Sequence, residues 1–238
     1  MAYTLENGAN GSAVSAPFDS ASTTAFSSSI GTLMIVVVGS HTGTPIQTPT
    51  DNAGNTYVPV TSEFSTSNEF QRWFMCVGYT PNALHVVTVS GTQNPSIIAM
   101  CVSGNAAAPA GSSNNNGATS SSTVQTGSLT PANTGSLLLA ACSSAFDNIN
   151  SVDGSWTIVL NQAAGYGKTG LALAYLNPAG AGPENPTFTL ASSVSAVQAS
   201  IVEFLPAGGG GGRIFKLAGE GGGLAGPSRG LVAHRVLG

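Results

Sequence analysis

Three histidines, His41, His85 and His234, bound the acid–base chemistry open to this 238-residue chain. Nucleophilic hydrolysis needs a Ser or Cys, a histidine base and an acid to orient that base. His41 follows an apolar run and His85 sits in "LHVVTV" as an ordinary strand position, while His234 lies near the C-terminus. No G-x-S-x-G turn accompanies any of them. Glycoside cleavage needs a pair of carboxyl groups across one bond. The candidates are Glu63, Glu69, Glu184 and Glu203, and "SIVEFLP" sets the last inside an apolar run. Strand alternation with Val202 and Phe204 inward turns Glu203 outward or leaves it at a strand end, and no second acid pairs with it. No catalytic residue is assigned, and the chain is not expected to be an enzyme.

Binding chemistry is sparse as well. In "DNAGNTY", Asp51, Asn52 and Asn55 offer oxygen ligands and Gly54 permits a tight turn. One carboxylate is too few for calcium, and the same residue types make a hairpin turn into "TYVPV". No metal or cofactor is expected. "AGYGKTG" ends like a phosphate loop, but its first glycine is too close and a strand follows where a helix is required. It reads as a hairpin loop. Tyr166 in that loop is the aromatic best placed to stack on a sugar, whereas Trp73 and Trp156 fall in strand-like runs and read as packing. The ligand candidates are therefore Asp51, Asn52, Asn55 and Tyr166.

The elements that must position these residues are β-strands. Short β-rich runs bounded by Gly, Pro, Asn and Ser recur along the chain, and helical periodicity is nearly absent. The runs repeat in order: "IGTLMIVVVGS" matches "TGSLLLAACSS", and "DNAGNTYVPV" matches "SVDGSWTIVL". "QRWFMCVGYTPN" matches "KTGLALAYLNPAG" in the same way. The expected fold is all-β: a jelly-roll-like, double-layered β-sandwich built from two similar halves, over residues 21–206. The halves span about 22–105 and 122–206, as one sandwich in which each completes the other or as two in tandem. The polar segment 106–121 reads as a surface crossing loop. Residues 1–20 form an N-terminal arm, either loose or an extra edge strand. Residues 207–238 form a Gly-rich C-terminal arm.

Charged residues make up only 7% of the chain and hydrophobic ones 42%, against roughly 25% charged in ordinary domains. Such a surface suits lattice contacts or exposure outside cells. Cys76, Cys101 and Cys142 each lie in an apolar run and read as buried thiols. "MAYTLENGAN" lacks the basic and apolar parts of a signal peptide. "LMIVVV" and "LLLAAC" fall far short of the roughly 20 residues of a membrane span. No membrane or nucleic-acid partner is expected, and assembly is expected in a cytoplasm.

The few charges are unevenly placed. Up to residue 212 two cations face nine carboxylates, a net of −7, whereas beyond it four cations face one carboxylate, a net of +3. The arm also carries two apolar anchors, "RIFKL" and "GLVAHRVLG". Alone, such a segment buries too little surface to offset its ordering entropy. Added to another chain's sheet edge it gains backbone hydrogen bonds, and its cations steer it to an acidic surface. The expected docking residues are Arg213, Ile214, Phe215, Lys216, Leu217, Arg229, Leu231, Val232 and Arg235, behind a glycine hinge at 208–212.

Over about residues 20–206 the pattern "IGTLMIVVVG…DNAGNTYVPV…WFMCVGY…HVVTVSG…IIAMCVSG" resembles β-sandwich structural proteins of tailed-phage virions. The resemblance implies a capsid decoration (cement) or fibre component located in the virion. With the arm as a fastening device, the expected partner is the major capsid protein or another virion protein, and the chain is expected to be a homo-oligomer. The resemblance implies no catalytic residues. A carbohydrate-binding adhesin at a fibre tip or cell surface is the alternative.

Overall fold

The computed structural model describes residues 4–12, 19–41, 44–103, 110–165, 168–176 and 182–205. Among them the only regular elements are strands. The first half contains β1 (Thr4–Ser12), β2 (Ser20–Ser22), β3 (Leu33–His41), β4 (Thr50–Asp51), β5 (Val58–Pro59), β6 (Phe64–Thr66), β7 (Glu69–Val77), β8 (Val87–Ser90) and β9 (Ser96–Ser103). The second contains β10 (Ala110–Ala118), β11 (Ser121–Gln125), β12 (Leu137–Ser144), β13 (Ile149–Val152), β14 (Thr157–Gln162), β15 (Gly170–Leu176), β16 (Thr187–Val194) and β17 (Val197–Phe204).

The two halves have one topology. A large sheet runs β1-β9-β3-β7-β5, with β6 also on β7, and a small sheet runs β2-β8-β4. The second half repeats this as β10-β17-β12-β15-β14 and β11-β16-β13. Gly31 and Gly135 stand at matched places before β3 and β12, with φ of 114° and 88°, where a side chain would strain the backbone.

The all-β sandwich is present, with four layers where two were expected. Each half closes a core between its own sheets: Met34, Val36, Val38 and Val89 in the first, Leu138, Ala140, Ile201 and Phe188 in the second. The two large sheets then pack back to back through Leu33, Ile35, Val37, Trp73, Leu137, Leu139, Val202 and Phe204. β1 lies against β14 and β10 against β6, the reciprocal contacts of a pseudo-twofold pair. The patterning explains the layering. β3 and β12 are buried along both faces and are therefore apolar at every position up to their ends, whereas β16 alternates because its outer face meets water. Each large apolar side chain in this seam contributes about 1.5–3 kcal/mol of burial.

Two expectations are corrected and one open reading is decided. The segment 106–121 is no crossing loop, because Ala110–Ala118 is an edge strand antiparallel to β17. Likewise β1 is an edge strand on β9, which decides the open reading of residues 1–20. The repeats therefore begin near residues 4 and 110, not 22 and 122. Asn, Gly and Ser are poor strand formers, but an edge strand is held by backbone bonds to its neighbour whatever its side chains. Both edge strands carry a register shift at the same place, between Leu5 and Gly8 and between Ala110 and Ser113.

Candidate functional site

The first half brings a serine, a histidine and an acid into line. Ser28 Oγ lies 2.7 Å from His85 Nδ1, and His85 Nε2 lies 2.9 Å from Asp51 Oδ2. Position follows from the strands: Asp51 closes β4 on Val87, and His85 bridges Phe26 two residues before Ser28. The carboxylate takes further donors. Asp51 Oδ1 accepts the Ala53 and Asn55 amides at 2.9 and 3.0 Å, and Oδ2 accepts Asn55 Nδ2 at 2.8 Å and the Tyr57 hydroxyl at 2.7 Å. Burial alone would raise the Asp51 carboxyl, but the bonds from Asn55, Tyr57 and His85 outweigh it and hold it far below the usual range. Burial and that carboxylate push the Tyr57 phenol up, so it stays a donor. Phe26 stacks on the imidazole at 5.5 Å and Tyr79 meets it edge-on at 6.4 Å.

This is the polar order of a nucleophile relay, although Ser28 meets Nδ1 and the acid meets Nε2. A substrate carbonyl would have to reach Ser28 Oγ. Ser28 and His85 are both 0% exposed, and Ser28 Oγ already accepts the Asn82 amide at 2.9 Å. The cluster is a hub that ties segments 26–28, 51–57 and 80–86 together. His85 is thus not the ordinary strand position expected of it. The turn "DNAGNTY" is structural throughout: Asn52 donates to the Leu84 carbonyl and accepts the Val86 amide, and Asn55 accepts the Thr80 amide. Its oxygens are committed to protein donors. Among the described residues no group of three or more His, Cys, Asp or Glu could hold a metal.

Glu203 is also corrected. It is 0% exposed, and its Oε1 accepts the Ala132 amide at 2.9 Å and the Ser136 hydroxyl at 2.7 Å. Oε2 accepts the Ser112 hydroxyl at 3.0 Å, which pins the shifted part of β10 to β17. The other acids are dispersed: Glu63 accepts the Ile46 amide, and Glu184 accepts the Trp156 indole N–H at 3.4 Å.

The remaining glutamate candidate, Glu69, is buried in the seam. Towards the β3 and β12 C-terminal ends the apolar seam turns polar, with Trp73 Nε1 donating to Ser200 Oγ at 2.8 Å and Thr66 Oγ1 to Gln198 Oε1 at 2.8 Å. Glu69 sits here, 3.2 Å from His41 Nδ1 through Oε2, while its Oε1 and the Gln71 and Ser143 side chains have buried polar atoms without partners. Burial pushes the Glu69 carboxyl up to about 7 against a weaker pull from His41. Phe146 covers His41 edge-on at 4.7 Å.

In the second half, the Leu129–Glu184 bridge stands where Phe26–His85 stands in the first. The end of that half is open: Asp153, Trp156, Glu184 and Asn185 help to line a cavity of about 360 Å³. A second cavity, of about 450 Å³, lies where β1 approaches β14 and β15. Gly165 and Lys168 pair through both backbone bonds, the expected hairpin. Trp73, Trp156 and all three cysteines are buried as expected.

The sequence missed Ser28, Tyr57 and His85 as a unit, because members of one contact lie up to 57 positions apart. A histidine inside an apolar run was the one available signal. Tyr166 and the docking residues Arg213, Ile214, Phe215, Lys216, Leu217, Arg229, Leu231, Val232 and Arg235 lie outside the described residues. Compared with protein-family models, with curated proteins and with solved structures, the chain matches none of them.

Proposed function

We propose that the chain is a virion structural protein, a capsid decoration or cement component that fastens to the shell or to neighbouring copies through its C-terminal arm. The observation that carries this reading is the charge partition: a body of net −7 joined by a run of five glycines to an arm of net +3 with apolar anchors. A body this acidic and an arm this basic suit contacts between copies better than contacts within a crowded cytosol. The interleaving of each half, with its first and last long strands adjacent in one sheet, fits the jelly-roll plan found among viral capsid and lectin domains. That step is analogy of fold alone. Copies placed by symmetry would multiply weak single contacts.

The test is co-sedimentation of the full chain, and of a chain ending at Ala207, with particles that lack it. Pelleting of the full chain alone is expected. Equal pelleting of both would remove the arm from the attachment, and pelleting of neither would remove the cement reading.

A second reading, a carbohydrate-binding adhesin, is favoured by the 360 Å³ cavity, which sets Asp153, Glu184 and Asn185 beside Trp156. It predicts glycan-array binding that survives removal of the arm and is lost in Glu184→Ala.

A further inference from the structure

We propose that the cleft between β1 and the β14–β15 pair receives the "RIFKL" segment, residues 213–217, of a second copy of this chain. The inference rests on the arm being a fastening device and names its receptor.

The pseudo-twofold supplies an internal control. The seam has two flanks, one where β10 meets β6 and one where β1 meets β14. On the first of these Leu205 follows β17, packs against the seam and reaches within 3.2 Å of where a Cβ on Gly111 would stand. That flank is closed by a leucine. On the other flank the position following Val102, as Leu205 follows Phe204, is Ser103, which donates its hydroxyl to Glu6. Among the described residues no leucine fills that side, and the 450 Å³ cleft opens there between Leu5, Met100, Leu160 and Tyr175.

The cleft has apolar side chains in its walls beside an acid, and its accessible lining is more polar than apolar. Leu5, Met100, Val159, Leu160 and Tyr175 are partly or fully buried members of the seam that still face this space. Glu6 stands in its lining. β1 and β14 are the outermost strands of their large sheets, so each offers unpaired backbone groups to an added strand. In "RIFKL" an extended backbone puts Phe215 between Ile214 and Lys216 and sends Arg213, Phe215 and Leu217 to one face. Phe215 fills the apolar space, and Arg213 or Lys216 answers Glu6.

Donor and receptor lie at opposite edges of one sheet: the chain leaves β17 beside the β10 edge, whereas the cleft is at the β14 edge. The basic arm and the acidic body favour exchange of the arm between copies. Donor and receptor on opposite edges make a head-to-tail contact, which closes into rings or extends as a lattice.

The experiment compares full-length chains by sedimentation velocity over a range of concentrations. The wild-type chain is expected to self-associate. Phe215→Asp, which breaks the donor, and Val159→Arg, which blocks the receptor, should each weaken association at least tenfold. A mixture of the two should restore one-to-one dimers that neither forms alone. Glu6→Lys, at a partly exposed position, should weaken association several-fold and covers the case in which Val159→Arg unfolds. If Val159→Arg and Glu6→Lys associate like wild type while Phe215→Asp does not, the cleft is not the receptor and the arm reading stands. If Phe215→Asp associates like wild type, the arm reading itself fails. A wild-type chain that stays a single copy at every concentration overturns the head-to-tail contact.

Discussion

Asp51 and Glu69 are two carboxylates with fully buried side chains and opposite electrostatic fates. Asp51 lies inside the first half and takes five donors within 3.0 Å. Glu69 lies in the seam between halves with His41 as its bonded partner and one oxygen orphaned. Burial raises both; only donors lower them again. Asp51 is therefore an ionised hub, whereas the Glu69 carboxyl, more deeply buried and less well served, is pushed up to about 7. Depth of burial and number of donors together decide the sign.

The largest break in this contrast should come from Asp51→Ala. It strands His85, Tyr57 and three further donors, and should cost about 3–5 kcal/mol in urea unfolding. A loss below about 1 kcal/mol would mean that water replaces the carboxylate and that the hub is not what holds the turn.

Glu203→Gln comes next. It keeps the shape but turns one acceptor into a donor facing Ala132 N–H or the Ser112 and Ser136 hydroxyls, for a loss of about 1–3 kcal/mol. No loss would place Glu203 with Glu69 as a weakly served acid. Tyr57→Phe removes one of five donors from Asp51 and should cost about 1 kcal/mol.

The subtlest effect sharpens the comparison through pH. An acid whose folded pKa exceeds its unfolded value takes up a proton on folding. Glu69 therefore favours the folded state at low pH, an advantage lost as pH rises from 4.5 through about 7. Asp51 does the reverse, contributing stability above its ordinary 3.8 that fades as pH falls. Glu69→Gln should leave stability almost unchanged near about pH 5 and raise it relative to wild type towards about pH 8. Parallel profiles for the two proteins would show that Glu69 ionises freely in the seam.

The errors of the sequence reading come from what lies beyond one strand. Alternation put Glu203 outside because a sheet was assumed to have a wet face. In the four-layer stack β17 is buried on both faces, so Glu203 points away from Val202 and still points inward. "AGSSNNNGA" read as loop, and "TLENGANGS" stayed undecided, since composition says nothing of a neighbour's unpaired backbone. The internal repeat had the information to correct this: each half needed a first strand to complete its large sheet.

By itself the sequence determined the strand class, the twofold repeat and the charge partition. These follow from local composition and period, as in the unbroken apolar runs of β3 and β12. Tertiary structure decided the number of layers, the edge strands and every polar constellation. His85 meets Asp51 across 34 positions and Trp73 meets Ser200 across 127. Such meetings depend on strand register and sheet order, which no local period encodes.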